Sequence, residues 1–251
     1  MRLLLVSDIH SNLEALEACL AAAPPTDITV NLGDIVGYGA SPNEVTERAR
    51  ALAGIFVRGN HDKVVAGIDS VESFNPIAGV AAIWNREQLT SERLSWLRDL
   101  PKGPVAMDEL GDVQYVHGAP DDEDRYVVSP EDAASQLIQP AAGITFFGHT
   151  HVQGAFQLQG NVVRAIHPVY ETVAKHETWD LVLKEGLNYM INPGSIGQPR
   201  DGDWRAGFAI FDSVQRVVTF FRVPYDVRSA QEKIFTAQLP ARLATRLAAG
   251  R

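Results

Sequence analysis

Cysteine is nearly absent from this chain. Of 251 residues one is cysteine, Cys19, so no disulfide can close within the chain and nothing in the composition asks for an oxidising compartment. Cys19 lies in Asn12-Leu13-Glu14-Ala15-Leu16-Glu17-Ala18-Cys19-Leu20, a run with helical periodicity, and is expected to be a buried structural thiol. Long apolar runs are missing too. The N-terminal Leu3-Leu4-Leu5-Val6 is far too short for a signal peptide and soon meets a carboxylate at Asp8. No later stretch approaches the roughly 20 apolar residues of a membrane span. A cytoplasmic protein without a membrane partner is the expectation. Positive charge is also scarce: 22 Lys and Arg stand against 31 Asp and Glu, a net charge of −9. That balance argues against a nucleic-acid partner, because backbone binding is driven by Lys and Arg displacing counterions. A small phosphate ester remains compatible, since bound divalent ions invert the local field whatever the total charge. No repeat, low-complexity tract or linker stands out.

What is present is an ordinary globular composition, 45% hydrophobic and 21% charged, long enough for one large domain or two small ones. The first part alternates strand-like and helix-like runs. Strands are expected at Arg2 to Ser7, Asp27 to Leu32 and Gly54 to Val57, with helices at Asn12 to Ala22 and Pro42 to Ala51, the second capped by Ser41 or Asn43. This is βαβ logic with a parallel sheet. A helical stretch follows from Pro76 to Leu97, broken near Leu89-Thr90-Ser91, where Ser91 can cap a new turn. The segment 73–97, with Phe74, Asn75, Trp84 and Trp96, is a candidate lid on an otherwise single domain spanning 1–251. Apolar runs at Val113 to Val116 and Ile144 to Phe147 flank a helix at Pro130 to Ile138. Beyond residue 151 the pattern is mostly strands, which need antiparallel pairing or a second sheet and rule against a (β/α)8 barrel. The expected fold class is α/β: two mixed β-sheets packed as a sandwich and flanked by helices. The tail, Gln231 to Arg251, reads as a docked surface helix.

The early strands end alike. They run into Ser7-Asp8-Ile9-His10, Gly33-Asp34 and Gly59-Asn60-His61-Asp62; the later runs lead into His117-Gly118 and Gly148-His149-Thr150-His151. Ligands of open α/β sheets bind outside the carboxyl ends of strands, so these residues should share one crevice. Singly, each fragment is turn chemistry, which Asp, Asn and Gly favour for backbone reasons. Jointly they place five of the seven histidines beside carboxylates and amides. Such a cluster is costly to bury without a countercharge, which metal ions supply. Imidazole, carboxylate and amide oxygen without thiolate suit Mn²⁺, Fe²⁺ or Zn²⁺ rather than a structural cysteine-zinc site. The donors suffice for two ions sharing a carboxylate, an arrangement suited to displacement at phosphorus.

The five blocks, Asp8-Ile9-His10, Gly33-Asp34, Gly59-Asn60-His61-Asp62, His117 and Gly148-His149-Thr150-His151, resemble the calcineurin-like metallophosphoesterase superfamily. The later Asn192-Pro193-Gly194-Ser195-Ile196-Gly197-Gln198-Pro199-Arg200-Asp201 is similar to its compact prokaryotic phosphodiesterase-like branch. The resemblance implies two divalent ions, manganese foremost, with iron, zinc or nickel as alternatives. One would be held by Asp8, His10 and His151, the other by Asn60, His117 and His149, with Asp34 shared. It implies in-line attack on phosphorus by hydroxide generated between the ions, with His61 protonating the leaving oxygen or stabilising its charge. Asp62 is the candidate partner of His61. Arg200, then Arg58, are candidates for gripping phosphate. Asn12 either helps a phosphate or caps the first helix. His167 and His176 match no block and read as loop residues.

The chain departs from the serine/threonine protein phosphatases of that superfamily. Their Gly-Asp-x-x-Asp-Arg-Gly is here Gly33-Asp34-Ile35-Val36-Gly37-Tyr38-Gly39, without the second aspartate and the arginine. A metal-dependent hydrolase of phosphodiesters or small phosphate esters, with diesters preferred, is the expectation. A phosphomonoesterase or protein phosphatase is the alternative. A nuclease fits the acidic balance poorly. A non-catalytic scaffold fits the complete ligand set poorly.

Overall fold

The apolar run Leu3-Leu4-Leu5-Val6 belongs to strand β1 (Arg2–Val6), and its alternation divides it between two cores. Successive side chains of a strand point to opposite faces. Leu3 and Leu5 join Val30, Tyr115, Phe146, Ile191 and Phe220 between two sheets. Leu4 and Val6 join Leu16, Val45, Ala81 and Leu243 beneath a layer of helices. The computed structural model describes residues 1–52, 54–138 and 140–251.

One six-stranded sheet has the order β3 (Gly54–Phe56), β2 (Ile28–Asn31), β1, β11 (Ala206–Asp212), β12 (Val217–Val223), β9 (Glu177–Val182). Its first three strands are parallel and the rest antiparallel. The second has the order β4 (Val105–Ala106), β5 (Val113–Tyr115), β6 (Ile144–Phe146), β10 (Asn188–Asn192), β7 (Gly154–Gln159), β8 (Val162–Ile166). There β5, β6 and β10 are parallel. Both sheets are mixed, as expected from the loss of βα alternation after residue 151. Helices α1 (Leu13–Ala22) and α2 (Pro42–Ala51) cover the first sheet, and α6 (Pro130–Ile138) packs on the outer face of the second.

Several local expectations need correction. The motif Asn60-His61-Asp62 opens a helix, α3 (Asn60–Ala66), with Asp62 at its third position accepting from the Gly59 N–H at 3.0 Å. Ser41 precedes α2 without capping it, and the Asn43 amide instead donates to the Gln88 carbonyl at 2.8 Å. The helical segment breaks at Leu89-Thr90 as expected, into α4 (Pro76–Gln88) and α5 (Ser91–Arg98), but Thr90 rather than Ser91 caps the second, accepting from the Arg93 N–H. The tail divides into α7 (Val227–Thr236) and α8 (Ala241–Thr245), interrupted before Pro240, which has no N–H to continue a helix. Cys19 is buried on α1, as expected. Among the described residues no helix is long and apolar enough to cross a membrane.

Candidate metal centre

The loops after β1, β2, β6 and β10, and the start of α3, meet at one edge of the sandwich. Their backbones are unusual. Nine non-glycine residues have positive φ among the described residues, and seven of them (Asp8, His10, Ser11, Asp34, Tyr38, His149 and His151) lie in these loops. A left-handed non-glycine residue costs on the order of 1 kcal/mol or more, so this concentration needs compensating contacts.

The segment after β10 provides many of them. The Asn192 amide donates to the Gly148 carbonyl at 2.7 Å and the Thr150 hydroxyl oxygen at 3.0 Å. Ser195 Oγ donates to the Asp8 carbonyl at 2.8 Å, and the Ile196 and Gly197 amides donate to the Ser7 and Asp8 carbonyls. One strap thus ties the Asp8 loop to the His149–His151 loop.

Two groups of side chains could each hold a cation. Asp8, His10, Asp34 and His151 form one; Asp34, His117 and His149 form the other, and within each group the ligand atoms lie within 4.8 Å of one another. Asp34 Oδ2 lies 3.5 Å from His10 Nε2 and 3.4 Å from His117 Nε2. Asn60 Oδ1 stands 3.3 Å from His117 Nε2, beside the second group.

The tautomers follow from the outer nitrogens. His10 Nδ1 faces the Val36 carbonyl at 3.1 Å, His151 Nδ1 the Gln198 carbonyl at 2.6 Å and His117 Nδ1 the Leu32 carbonyl at 2.7 Å. His149 uses its other nitrogen, Nε2 facing the Asp124 carbonyl at 3.0 Å. A carbonyl accepts only, so each outer nitrogen carries hydrogen and each neutral ring turns a lone pair inward. The lone pairs of His10 Nε2 and His151 Nε2 then meet at 3.1 Å, and His117 Nε2 faces the lone pair of His149 Nδ1 at 3.1 Å. Asp8 Oδ1 is buried and accepts no hydrogen bond. Acceptors turned on one another in a buried site fit divalent cations.

The electrostatics agree. Burial pushes His10 well below the usual imidazole range and lowers His151, and it takes His149 down to about 3, assisted by the charge of His117. Burial would lower His117 as well, but the charge and hydrogen bond of Asp34, with the charge of Asp8, carry it up to about 10. A proton on His117 Nε2 therefore takes the cation's place there. Burial would raise Asp8 and Asp34; His151 beside the first and His117 beside the second instead hold both below the usual carboxylate range.

The remaining candidates separate. His61 is buried beside the two groups but belongs to neither, and its Nδ1 has no partner; burial pushes it down to about 4. Asp62 does not orient it. The Asp62 carboxylate accepts from the Ile35, Val36 and Gly59 amides at 2.9, 3.2 and 3.0 Å, so it fastens the β2 loop to the start of α3. Arg58 is not free for phosphate: its Nε and Nη2 grip Glu123 at 3.0 and 2.9 Å, and Glu123 also receives Lys63. Asn12 is a cap. Its Oδ1 accepts from the Ala15 N–H at 3.2 Å and its Nδ2 donates to the Gly197 carbonyl at 2.9 Å, leaving nothing for phosphate. Arg200 has no carboxylate partner among the described residues; Asp201 and Asp203 are taken by Arg222 and Arg205. The Arg200 guanidinium donates to Tyr38 Oη at 3.3 Å and Gln198 Oε1 at 3.2 Å, and its buried Nε has no partner. His176 packs on Phe221, outside the centre.

A cleft of about 250 Å³ opens beside His61 and His149, lined also by Tyr38, Phe74, Asn75 and Tyr126. The Phe74 ring centroid lies 4.4 Å from His61, and the Tyr126 ring 3.8 Å from His149. Sequence reasoning gave neither tyrosine a role: Tyr126 falls in no motif block, and Tyr38 counted only as standing where the protein phosphatases carry arginine.

The chain belongs to the calcineurin-like phosphoesterase superfamily, whose domain matches residues 1–216. It is 36% identical over 248 residues to an uncharacterized protein of Methanocaldococcus jannaschii, covering 98% of this chain and 97% of that one. A metallophosphoesterase from Sphaerobacter thermophilus superposes with a TM-score of 0.83 at 40% identity, covering 100% of this chain and 99% of that chain. A hypothetical protein of Pyrococcus horikoshii OT3 shares the fold with a TM-score of 0.78 at 20% identity, over 100% and 98% of the two chains. The protein is a divalent-metal-dependent phosphoesterase, a hydrolase acting on phosphate esters.

Proposed function

We propose that this chain is a dinuclear phosphoesterase that prefers phosphodiesters, small ones included, over monoesters. The observation that carries the reading is the set of four imidazoles whose outer nitrogens are pinned by backbone carbonyls while their inner nitrogens converge around Asp34. Asp8, His10 and His151 would hold one ion, Asn60, His117 and His149 the other, and Asp34 both. Manganese is the first expectation, with iron, zinc or nickel accommodated by the same donors. Bound there, two such ions supply Lewis-acid polarisation of phosphoryl oxygens and a lowered pKa for water.

The chain's own residues supply the rest. His61, beside the ligand groups but outside both, is placed to stabilise the charge on the leaving oxygen or, once the substrate's anionic phosphate offsets the burial that keeps its ring neutral, to give that oxygen a proton. Arg200, steadied by Tyr38, would hold a phosphoryl oxygen through its fork of donors. Diester preference follows from charge. With Arg58 neutralised by Glu123 and Gly37-Tyr38 in place of an Asp-Arg pair, one guanidinium of the two candidates is left, which suits a singly charged diester better than a monoester dianion.

We read residues 1–251 as one domain in which segment 73–97 walls the cleft rather than swinging over it. Arg86 donates to the Val64 and Val65 carbonyls and Arg98 to that of Ala66, so α4 and α5 are fastened to the end of α3. The deciding experiment is metal-stripped protein reloaded with Mn²⁺, Fe²⁺, Ni²⁺, Zn²⁺ or Mg²⁺ and assayed on bis(p-nitrophenyl) phosphate and p-nitrophenyl phosphate. Faster diester hydrolysis, lost in Asp34→Asn and reduced in His61→Ala, is expected. Equal or faster monoester hydrolysis would overturn the diester preference.

A further inference from the structure

An asparagine in the middle of a helix, on its buried face, is out of place by propensity. Asn85 follows Ala78, Ala81 and Ala82 at helical spacing on α4, fully buried and far along the chain from any motif block. Its amide is nonetheless saturated. Oδ1 accepts from Ser11 Oγ at 2.6 Å and the Gly37 N–H at 3.0 Å; Nδ2 donates to the Gly39 carbonyl at 3.1 Å and the Ala81 carbonyl at 3.0 Å. Three of the four bonds leave the helix, and all three reach loops of the metal centre.

Those loops need holding. Ser11 and Tyr38 are left-handed non-glycine residues, and Gly37, at φ +95°, lies so close to His61 Nδ1 that a Cβ there would collide with the ring. The turn Gly37-Tyr38-Gly39 is thus the wall against which His61 rests. Tyr38, at its apex, has its ring centroid 4.3 Å from that of His61 and 4.7 Å from that of His10. No hydrogen bond fixes His61 through Nδ1, so packing must orient it.

We propose that Asn85 is a positioning residue for His61, acting through the Gly37–Gly39 turn that it clamps on both sides. Helix α4, which lies outside the ligand motifs, thereby sets the orientation of His61, while Phe74, just before its N-cap Asn75, lines the cleft. The catalytic consequence rests on the reading of His61 as the acid for the leaving oxygen; the positional one does not.

The test compares Asn85→Ala, His61→Ala and the parent protein, all loaded with Mn²⁺, on bis(p-nitrophenyl) phosphate, whose leaving group departs without help, and diphenyl phosphate, whose leaving group needs a proton. Asn85→Ala is expected to lower kcat on diphenyl phosphate by about tenfold or more, since a displacement of about 1 Å can cost that much or more. The loss on bis(p-nitrophenyl) phosphate should be smaller, KM should stay within about twofold, and Mn²⁺ affinity by calorimetry should be unchanged. In the metal-free protein, the His61 ring proton resonances, shifted by Tyr38 and Phe74, should move while those of His117 and His149 stay. Equal losses on both esters, or a fallen metal affinity that accounts for the rate, overturn the proposal when His61→Ala shows the leaving-group bias. If His61→Ala shows no bias, the acid role fails and the resonances alone decide: unmoved His61 signals overturn the positioning role. Should Asn85→Ala not fold, Ser11→Ala, which removes one of the four bonds, is read by the same resonances and the same rate comparison, with smaller effects expected.

Discussion

His10 and His151 face each other Nε2 to Nε2 at 3.1 Å, while the Nδ1 of each is held by a backbone carbonyl. Two lone pairs so placed repel, and burial removes the water that would relieve them. The metal-free fold therefore stores a cost that a bound cation removes. Added Mn²⁺ should raise the melting temperature of stripped protein, and a chelator should reverse it. A ligand at a thousand times its Kd stabilises by about 4 kcal/mol, or roughly 10 °C for a chain of this size. His151→Ala should lose much of that rise and Asp34→Asn more, because Asp34 is shared; an unchanged rise in both would sink the assignment of ligands. Differential scanning calorimetry reads it.

Metal binding should also release a proton. His117, carried up to about 10 by Asp34 and Asp8 against the effect of burial, is protonated at neutral pH without metal, and the metal must replace that proton. Calorimetric titrations at pH 7.5 in buffers of different ionisation enthalpy should give about one proton per chain. His117→Gln should abolish it.

The pH dependence of the metal-free protein has two arms. His61 and His149 have folded values near 4 and 3, and His10 and His151 are lowered too, so below about 6.5 the unfolded chain binds protons that the folded one refuses. Stability should fall as pH drops from 6.5 towards 4. His117 works oppositely: the stability it contributes is present below 6.5 and is lost as pH rises towards 10. Melting temperature against pH should peak between the arms, and saturating metal should flatten the acid arm until the ligands are protonated off the ion. A flat profile for stripped protein between pH 6.5 and 4 would contradict the buried neutral rings.

Phe74 and Arg200 should fail in different ways. Phe74 lines the cleft and rests on His61, so Phe74→Ala should raise KM for bis(p-nitrophenyl) phosphate with kcat largely retained. Arg200→Lys replaces a planar fork with a point charge and should lower kcat/KM by roughly tenfold or more. Steady-state kinetics on both variants separate a wall from a phosphate anchor.

The spacing of Asp8, His10, Asp34, Asn60, His117, His149 and His151 was legible because each follows or begins an element whose apolar periodicity is strong, and parallel strands deliver their carboxyl ends to one edge. Asp62 and Arg58 misled, because residue type announces a capacity while only the neighbours decide its use; for Asn12, read as a cap or a phosphate contact, the neighbours select the cap. Asp62 meets three amide hydrogens, Arg58 meets Glu123, and Asn12 meets the first turn of its own helix.

Asn85 shows the limit most plainly. A polar residue at the i+7 position of an alanine face is visible in the sequence, yet its partners Ser11, Gly37 and Gly39 lie 46 or more residues away. The sequence by itself determined the alternation that splits β1 between two cores, the two-sheet class and the carboxylates and imidazoles that could hold a cation, because these depend on local periodicity and residue chemistry. Only the tertiary structure decided which nitrogen of each histidine points inward, which arginine is left without a carboxylate and which helix braces the centre. Those outcomes depend on contacts between distant segments, and such contacts exist only once the chain has closed on itself.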